Sequence, residues 1–311
     1  MRILELSRVS PPPNSSKASS EFSLPLTFSD VFWFKLPPVE RLFFYRLNAL
    51  TFACFNSDIV PKLKQSLSLA LLHYLPLAGN LKWPSNAPKP SISYTPGDGF
   101  HSQLLNPMLT LTFFQAMEST MLLTQHAVLD GKTTTMFIKS WAYICKQGNP
   151  QNSTLPPELT PVLDRSVLKD TGGLDMIYLK NWFDNIAKAR DFLDENGFVF
   201  GVQKVSSLVK QVKEQGVLEG MEKKLSLLLG FFERLATNPI QVISVAGSPG
   251  FGVYGSDFGW GKPVKVDIVS IDKNEAVSLA ESRDGSSGVE IGLALKKHEM
   301  ERFSSLFLTE F

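Results

Sequence analysis

The sequence predicts a mixed α/β protein. Short apolar or β-branched runs are interleaved with segments whose apolar residues recur every three or four positions. Its 311 residues suffice for about two domains or one large one. Apolar residues make up 43% and charged residues 20%, which is ordinary globular usage and excludes a disordered, collagen-like or coiled-coil chain.

The elements follow in order. Residues 2–9 (RILELSRV) alternate apolar and polar, as a half-buried strand does. A Pro/Ser/Asn loop occupies 10–20. Pro38 is expected to open a helix, with Val39, Leu42, Phe43, Arg46 and Leu47 at helical spacing. A second helix is expected from Ser57 or Asp58, carrying Val60, Leu63, Leu67, Leu71 and Leu75 and stopped by Pro76. The stretch 77–90 is turn-rich. From Ile92 the pattern is one of short strands, including 109–114 and 120–124. A helix begins after Gly131, with Met136, Phe137, Trp141, Ile144 and Cys145 on one face. The polar, Pro-rich stretch 147–161 is the candidate linker, dividing the chain into domains 1–160 and 161–311. Segments 186–215 and 217–235 read as helical; 241–246, 265–271, 276–280 and 289–294 read as strands. A helix over 296–307 closes the chain.

Lys plus Arg number 31 and Asp plus Glu 30, a net charge of +1, without the basic excess that phosphate neutralisation demands; no nucleic-acid partner is expected. Two cysteines, Cys54 and Cys145, cannot build a disulfide framework. With His73 (read as helical), His101 (read as a loop) and His298 they form no ligand spacing, so no metal site is expected. No apolar run reaches signal-peptide or membrane-span length, so a cytoplasmic protein without membrane attachment is expected.

The sharpest feature is QHAVLDGKT, residues 125–133, between an apolar strand and an amphipathic helix. His126 at such a junction can serve as a general base near neutral pH. A core histidine beside an Asp that caps the helix is the plainer reading of the same residues. Gly131-Lys132-Thr133 is no phosphate loop, because His126 stands where that loop requires glycine. Ala246-Gly247-Ser248-Pro249-Gly250 is a turn rather than a nucleophile elbow, since Pro249 has no N–H for an oxyanion hole. Asp257-Phe258-Gly259-Trp260-Gly261 lacks every other kinase element and reads as a tight turn with a buried ring.

Taken together, His126-x-x-x-Asp130-Gly131 and Asp257-Phe258-Gly259-Trp260-Gly261 resemble the plant BAHD, or HXXXD-type, acyl-CoA-dependent acyltransferases. Leu24-Pro25-Leu26-Thr27-Phe28 with Asp30, Tyr74 through Leu81, and the helix 132–146 are similar to that family as well. Tyr254-Gly255-Ser256 and Ser282-Arg283-Asp284-Gly285 look like the anthocyanin and phenolic glucoside malonyltransferase branch. The resemblance implies a two-domain chloramphenicol acetyltransferase-like α/β fold with a solvent channel between the domains. It implies no bound cofactor, acyl-CoA (malonyl-CoA in that branch) as co-substrate, a hydroxylated small-molecule acceptor, and a monomer. His126 would be the base; Asp130 would hold the loop, in the family usually through an arginine; residues 257–261 would support the fold. The chain departs from the family after Asp98 and after Trp182, where family segments are missing, among them the arginine-bearing one. Gln125 replaces a common histidine. A truncated, catalytically impaired family member is the alternative, and the residues that choose among acyl donors fall mostly in the missing parts.

Overall fold

Alternation in the first nine residues does produce a strand. The computed structural model describes residues 2–33, 39–47, 52–106, 117–124, 128–149, 154–165, 168, 170, 173, 245–269, 271 and 276–310. In chain order these form β1 (Arg2–Val9), β2 (Phe22–Pro25), α1 (Phe28–Trp33), β3 (Val39–Arg46), α2 (Phe52–Cys54), a π-helical turn (Phe55–Ile59) and α3 (Val60–Leu71). Then come α4 (Leu75–Ala78), β4 (Asn80–Lys82), β5 (Ser91–Tyr94), β6 (Phe100–Asn106), β7 (Met117–Thr124) and α5 (Gly131–Gln147). Near the C-terminus lie β8 (Val245–Gly247), β9 (Lys265–Ile268), β10 (Val277–Glu281), β11 (Val289–Leu293) and α6 (Lys297–Glu310). The expected elements at 109–114, 186–215 and 217–235 lie outside the described residues.

Three expectations are corrected. The segment after Pro38 is a strand, not a helix: Leu42, Phe43, Phe44 and Tyr45 suit a pleated surface better than a helix. Pairing on both sides fixes it, Arg41 facing Leu122 on β7 and Ile268 on β9. The next helix stops at Leu71, leaving His73 in a turn, and Leu75 and Pro76 begin the separate short helix α4 instead of ending α3. Proline there is at a helix start, where its missing N–H costs nothing. His101 is on β6, not in a loop.

The chain divides into two compact units, one of residues 1–26, 33–163 and 244–311 and one of 27–32 and 164–243. In the first, an antiparallel sheet runs β1-β6-β7-β3-β9. A three-stranded mixed sheet runs β11-β10-β8, and a third, antiparallel, runs β2-β5-β4. Helices α3 and α5 share a core with the Phe43 and Tyr45 face of β3, through Leu63, Leu67, Leu71, Phe137, Ile138 and Trp141. Trp141 donates its indole N–H to Leu63 O and Ser66 Oγ at 3.1 and 3.0 Å, so its large ring is buried without an orphaned donor. The 154–160 stretch packs back on this core: Leu159 O accepts from Tyr74 Oη and Ser140 Oγ. In the second unit, Asp30 accepts from Thr27 N and Thr27 Oγ1 and pairs with Arg165.

Candidate active site

The two motifs singled out in the sequence stand at opposite ends of α5. Asp130 is its N-cap: the exposed carboxylate accepts from Thr133 N at 2.6 Å while Asp130 O accepts from Thr134 N. That satisfies donors every helix start leaves free and places negative charge at the positive end of the helix dipole. At the far end Lys146 Nζ donates to Asp257 Oδ2 at 2.5 Å. Sixteen residues of helix between Asp130 and Lys146 set the two ends roughly 24 Å apart at 1.5 Å per residue. A group touching reacting atoms near Asp130 is therefore out of reach of Asp257. His126 and Gln125 lie outside the described residues; the described chain resumes at Val128, two residues before the cap.

The 257–261 segment is the expected tight turn, built by its first side chain. Asp257 Oδ1 accepts from both Gly259 N and Gly261 N at 2.9 Å. Gly259 and Gly261 have φ of +109° and +100°, values that side chains resist. Burial works against the Asp257 charge, but the Lys146 ammonium and the two N–H groups outweigh it and hold the carboxyl below its usual range. The buried ring of the turn is Phe258 rather than Trp260; it meets Trp141 edge-on at 5.0 Å and Tyr45 at 5.6 Å. Trp260, partly buried, stacks on Phe258 at 5.7 Å, with Lys62 Nζ over the Trp260 ring at 6.0 Å from its centroid. The turn at 247–251 is also as expected, closed by Phe251 N to Ser248 O, with Ser248 Oγ accepting from Gly250 N.

Sequence reading missed a charged cluster beneath the start of α5. Arg41 is 3% exposed, and its Nη1 donates to Thr135 Oγ1 at 2.8 Å. Its guanidinium stands over the Phe251 ring at 5.8 Å. Lys139 Nζ donates to Phe251 O, and Glu281 Oε1 accepts from Tyr254 N. Arg41 Nε and Glu281 Oε2 have no hydrogen-bond partner among the described residues. Burial depresses Arg41 to about 10, opposed by the negative charges of Glu281 and Asp130. Burial likewise lowers Lys139, opposed by Glu281. The missed signal was the strand itself: read as β-structure, VERLFFYR puts Arg41 on the same face as Phe43 and Tyr45. An arginine on which the Asp130 charge acts is thus supplied by β3. Among the described residues no group of three or more His, Cys, Asp or Glu could hold a metal, and no helix is long and apolar enough to cross a membrane.

A protein-family model described as "Transferase family" matches residues 8–94 and 183–308. A malonyl-CoA:anthocyanidin 5-O-glucoside-6''-O-malonyltransferase of Arabidopsis thaliana is 34% identical over 452 aligned positions, covering 99% of this chain and 97% of the relative. Phenolic glucoside malonyltransferase 1 of the same plant is 32% identical over 459 positions, covering 97% and 96%. At least 141 of the 452 positions (452 less 311) face a gap in this chain. Among solved structures, vinorine synthase matches with a TM-score of 0.53 at 16% identity, over 96% of each chain. F. sporotrichioides TRI101, complexed with coenzyme A and T-2, matches with a TM-score of 0.55 at 12% identity, over 91% of this chain and 97% of that one. At such identities these two speak to the fold alone, which is the α/β, chloramphenicol acetyltransferase-like fold expected above. The family match and the curated relatives carry the conclusion that this chain belongs to the Transferase family, the BAHD acyl-CoA-dependent acyltransferases.

Proposed function

We propose that the chain transfers a malonyl group from malonyl-CoA to a sugar hydroxyl of a phenolic or flavonoid glucoside, with His126 as general base. The observation that carries this reading is the capped junction at Asp130. Its carboxylate is engaged with the first turn of α5, which leaves His126, four residues earlier in the sequence, as the motif's other titratable group. His126 takes the proton from the acceptor hydroxyl as its oxygen bonds to the thioester carbonyl carbon. The tetrahedral intermediate collapses, the C–S bond breaks, and the departing CoA thiolate takes the proton back. Help of this kind is worth on the order of 10²–10⁴-fold in rate. The names of the relatives, both malonyltransferases acting on glucosides, support donor and acceptor class. Residues 257–261 belong to the fold in this reading, being a helix length from Asp130. Two domains, a cytoplasmic location and a monomeric state complete the proposal.

A second reading is favoured by the gaps: a family member that has lost its turnover. Its support is the number of aligned positions with no residue here and the break in the family match across 95–182, which contains the motif. Purified chain supplied with malonyl-CoA and a phenolic glucoside separates the two. The enzyme reading expects CoA thiol release that falls by about 100-fold or more in His126→Ala with folding intact. No release from the unaltered, cooperatively melting chain establishes the second reading, and near-normal release from a folded His126→Ala protein removes His126 as the base.

A further inference from the structure

From the charged cluster beneath α5 we infer that Arg41 is a positioning residue for acyl transfer, its buried guanidinium fixing the first turn of α5 and so the Asp130 end of the motif to which His126 belongs. This inference rests on the acyltransferase reading above.

An arginine at this place needs a reason. Position 41 lies inside the five-stranded sheet, on a strand paired on both sides, and shares its face with Phe43 and Tyr45, which are core residues. A buried charge with an orphaned nitrogen stabilises a core less well than an apolar side chain of similar volume. It also faces the positive end of a helix dipole, an unfavourable position unless anions answer it. Two do: Asp130 and Glu281 both interact favourably with its charge.

The contacts are specific. Nη1 reaches Thr135 Oγ1, and that hydroxyl in turn donates to Gly131 O at 2.9 Å. Arg41 therefore grips the first turn by way of a side chain that is itself bonded to the turn. Arg41 Nη2 lies 3.5 Å from where a Cβ on Gly131 would be. Phe251 closes on the same point, with ring atoms at 2.7 and 3.0 Å from it. Phe251 is in turn tied down by Lys139 on its carbonyl. A cation and the ring it stands over thus meet at the start of α5, in space that only glycine leaves open. Misplacement of a catalytic group by about 1 Å can cost 10²-fold in rate, so a grip here acts on turnover rather than on substrate affinity.

The test uses the full chain carrying Arg41→Met, which keeps volume and removes the charge, and Thr135→Val, which keeps the charge and removes the contact. Amide hydrogen exchange is followed at Thr133 and Thr134, with Trp141 and Ile144 as internal references. Acyl transfer is measured with acyl-CoA varied. In both variants exchange at Thr133 and Thr134 is expected to quicken at least about tenfold while Trp141 and Ile144 hold. Turnover is expected to fall at least about tenfold with the KM for acyl-CoA within about twofold, and Arg41→Lys to recover part of the loss. Unchanged exchange at Thr133 and Thr134 overturns the role of Arg41 whatever the activity. A raised KM with turnover intact overturns it too, by making Arg41 a binding group. If the unaltered chain releases no thiol, the proposed activity falls, and the exchange comparison still decides for or against Arg41.

Discussion

Replacing Gly131 by alanine adds one methyl group at the start of α5 and sets two effects against each other. Alanine is the better helix former, by about 1 kcal/mol in a helix interior and less at a first position. Against this, the new Cβ would lie 2.7 Å from Phe251 Cε2 and 3.0 Å from Cζ, closer than carbon atoms approach. A phenyl ring can swing away where its backbone is free. Here Phe251 N donates to Ser248 O, Phe251 O accepts from Lys139, and the ring covers the Arg41 guanidinium. Overpacking of a held site costs about 1–3 kcal/mol, so the clash outweighs the propensity. The expected net loss is ~1–2 kcal/mol, roughly 1.5–3 °C in Tm for a chain of this size. The assay is thermal melting of the parent, Gly131→Ala, Phe251→Ala and the double variant. Removing the ring should abolish the penalty of the methyl group, giving a coupling of about 1–3 kcal/mol between the two sites. A Gly131→Ala protein that melts above the parent, or additive effects in the double variant, would refute the account of this junction.

Asp130→Ala should lose about 1 kcal/mol of stability as a helix cap, while Asp130→Asn, which still offers an oxygen to Thr133 N, should lose less than that. Equal losses for the two, read by chemical denaturation, would contradict the capping role. Asp257→Asn should lower Tm near neutral pH by no more than a few degrees, because the Lys146 pair is largely solvent-exposed. Since folding depresses the Asp257 carboxyl, its charge stabilises above the ordinary carboxylate range, and that benefit disappears as pH falls through the lowered value. The Tm difference should therefore shrink in acid; a gap that stays constant from neutral pH down to about 3 would show that the charge contributes nothing.

Period alone located α3 and α5 because each buries one face and leaves the other open, which imposes a helical repeat on the sequence. It failed at β3. That strand has buried residues on both faces, Leu42 on one and Phe43 and Tyr45 on the other, so its apolar run carries no alternation and fits a helical template by accident. The same misreading hid Arg41, since a helical register gives residue 41 no reason to face the start of α5. Asp130 and the 257–261 turn were legible because local bonds make them: the cap spans four residues and the turn five. The cluster of Arg41, Lys139, Phe251 and Glu281 joins parts of the chain as much as 240 residues apart (281 less 41), and no local pattern encodes such a meeting.

The pairing of β3 with β9 has a consequence for the nascent chain. Residues 39–46 are synthesised early, yet one of their two neighbours is 265–268. At about 5–20 residues per second, some 220 residues of further synthesis (265 less 46) occupy roughly 10–40 s. Throughout that interval β3 is an edge strand with Phe43, Phe44 and Tyr45 on it and its outer N–H and C=O groups unpaired, the kind of edge to which other chains add. The yield of folded protein thus depends on the speed of the ribosome and on whatever shields residues 39–46 until the last fifth of the chain arrives.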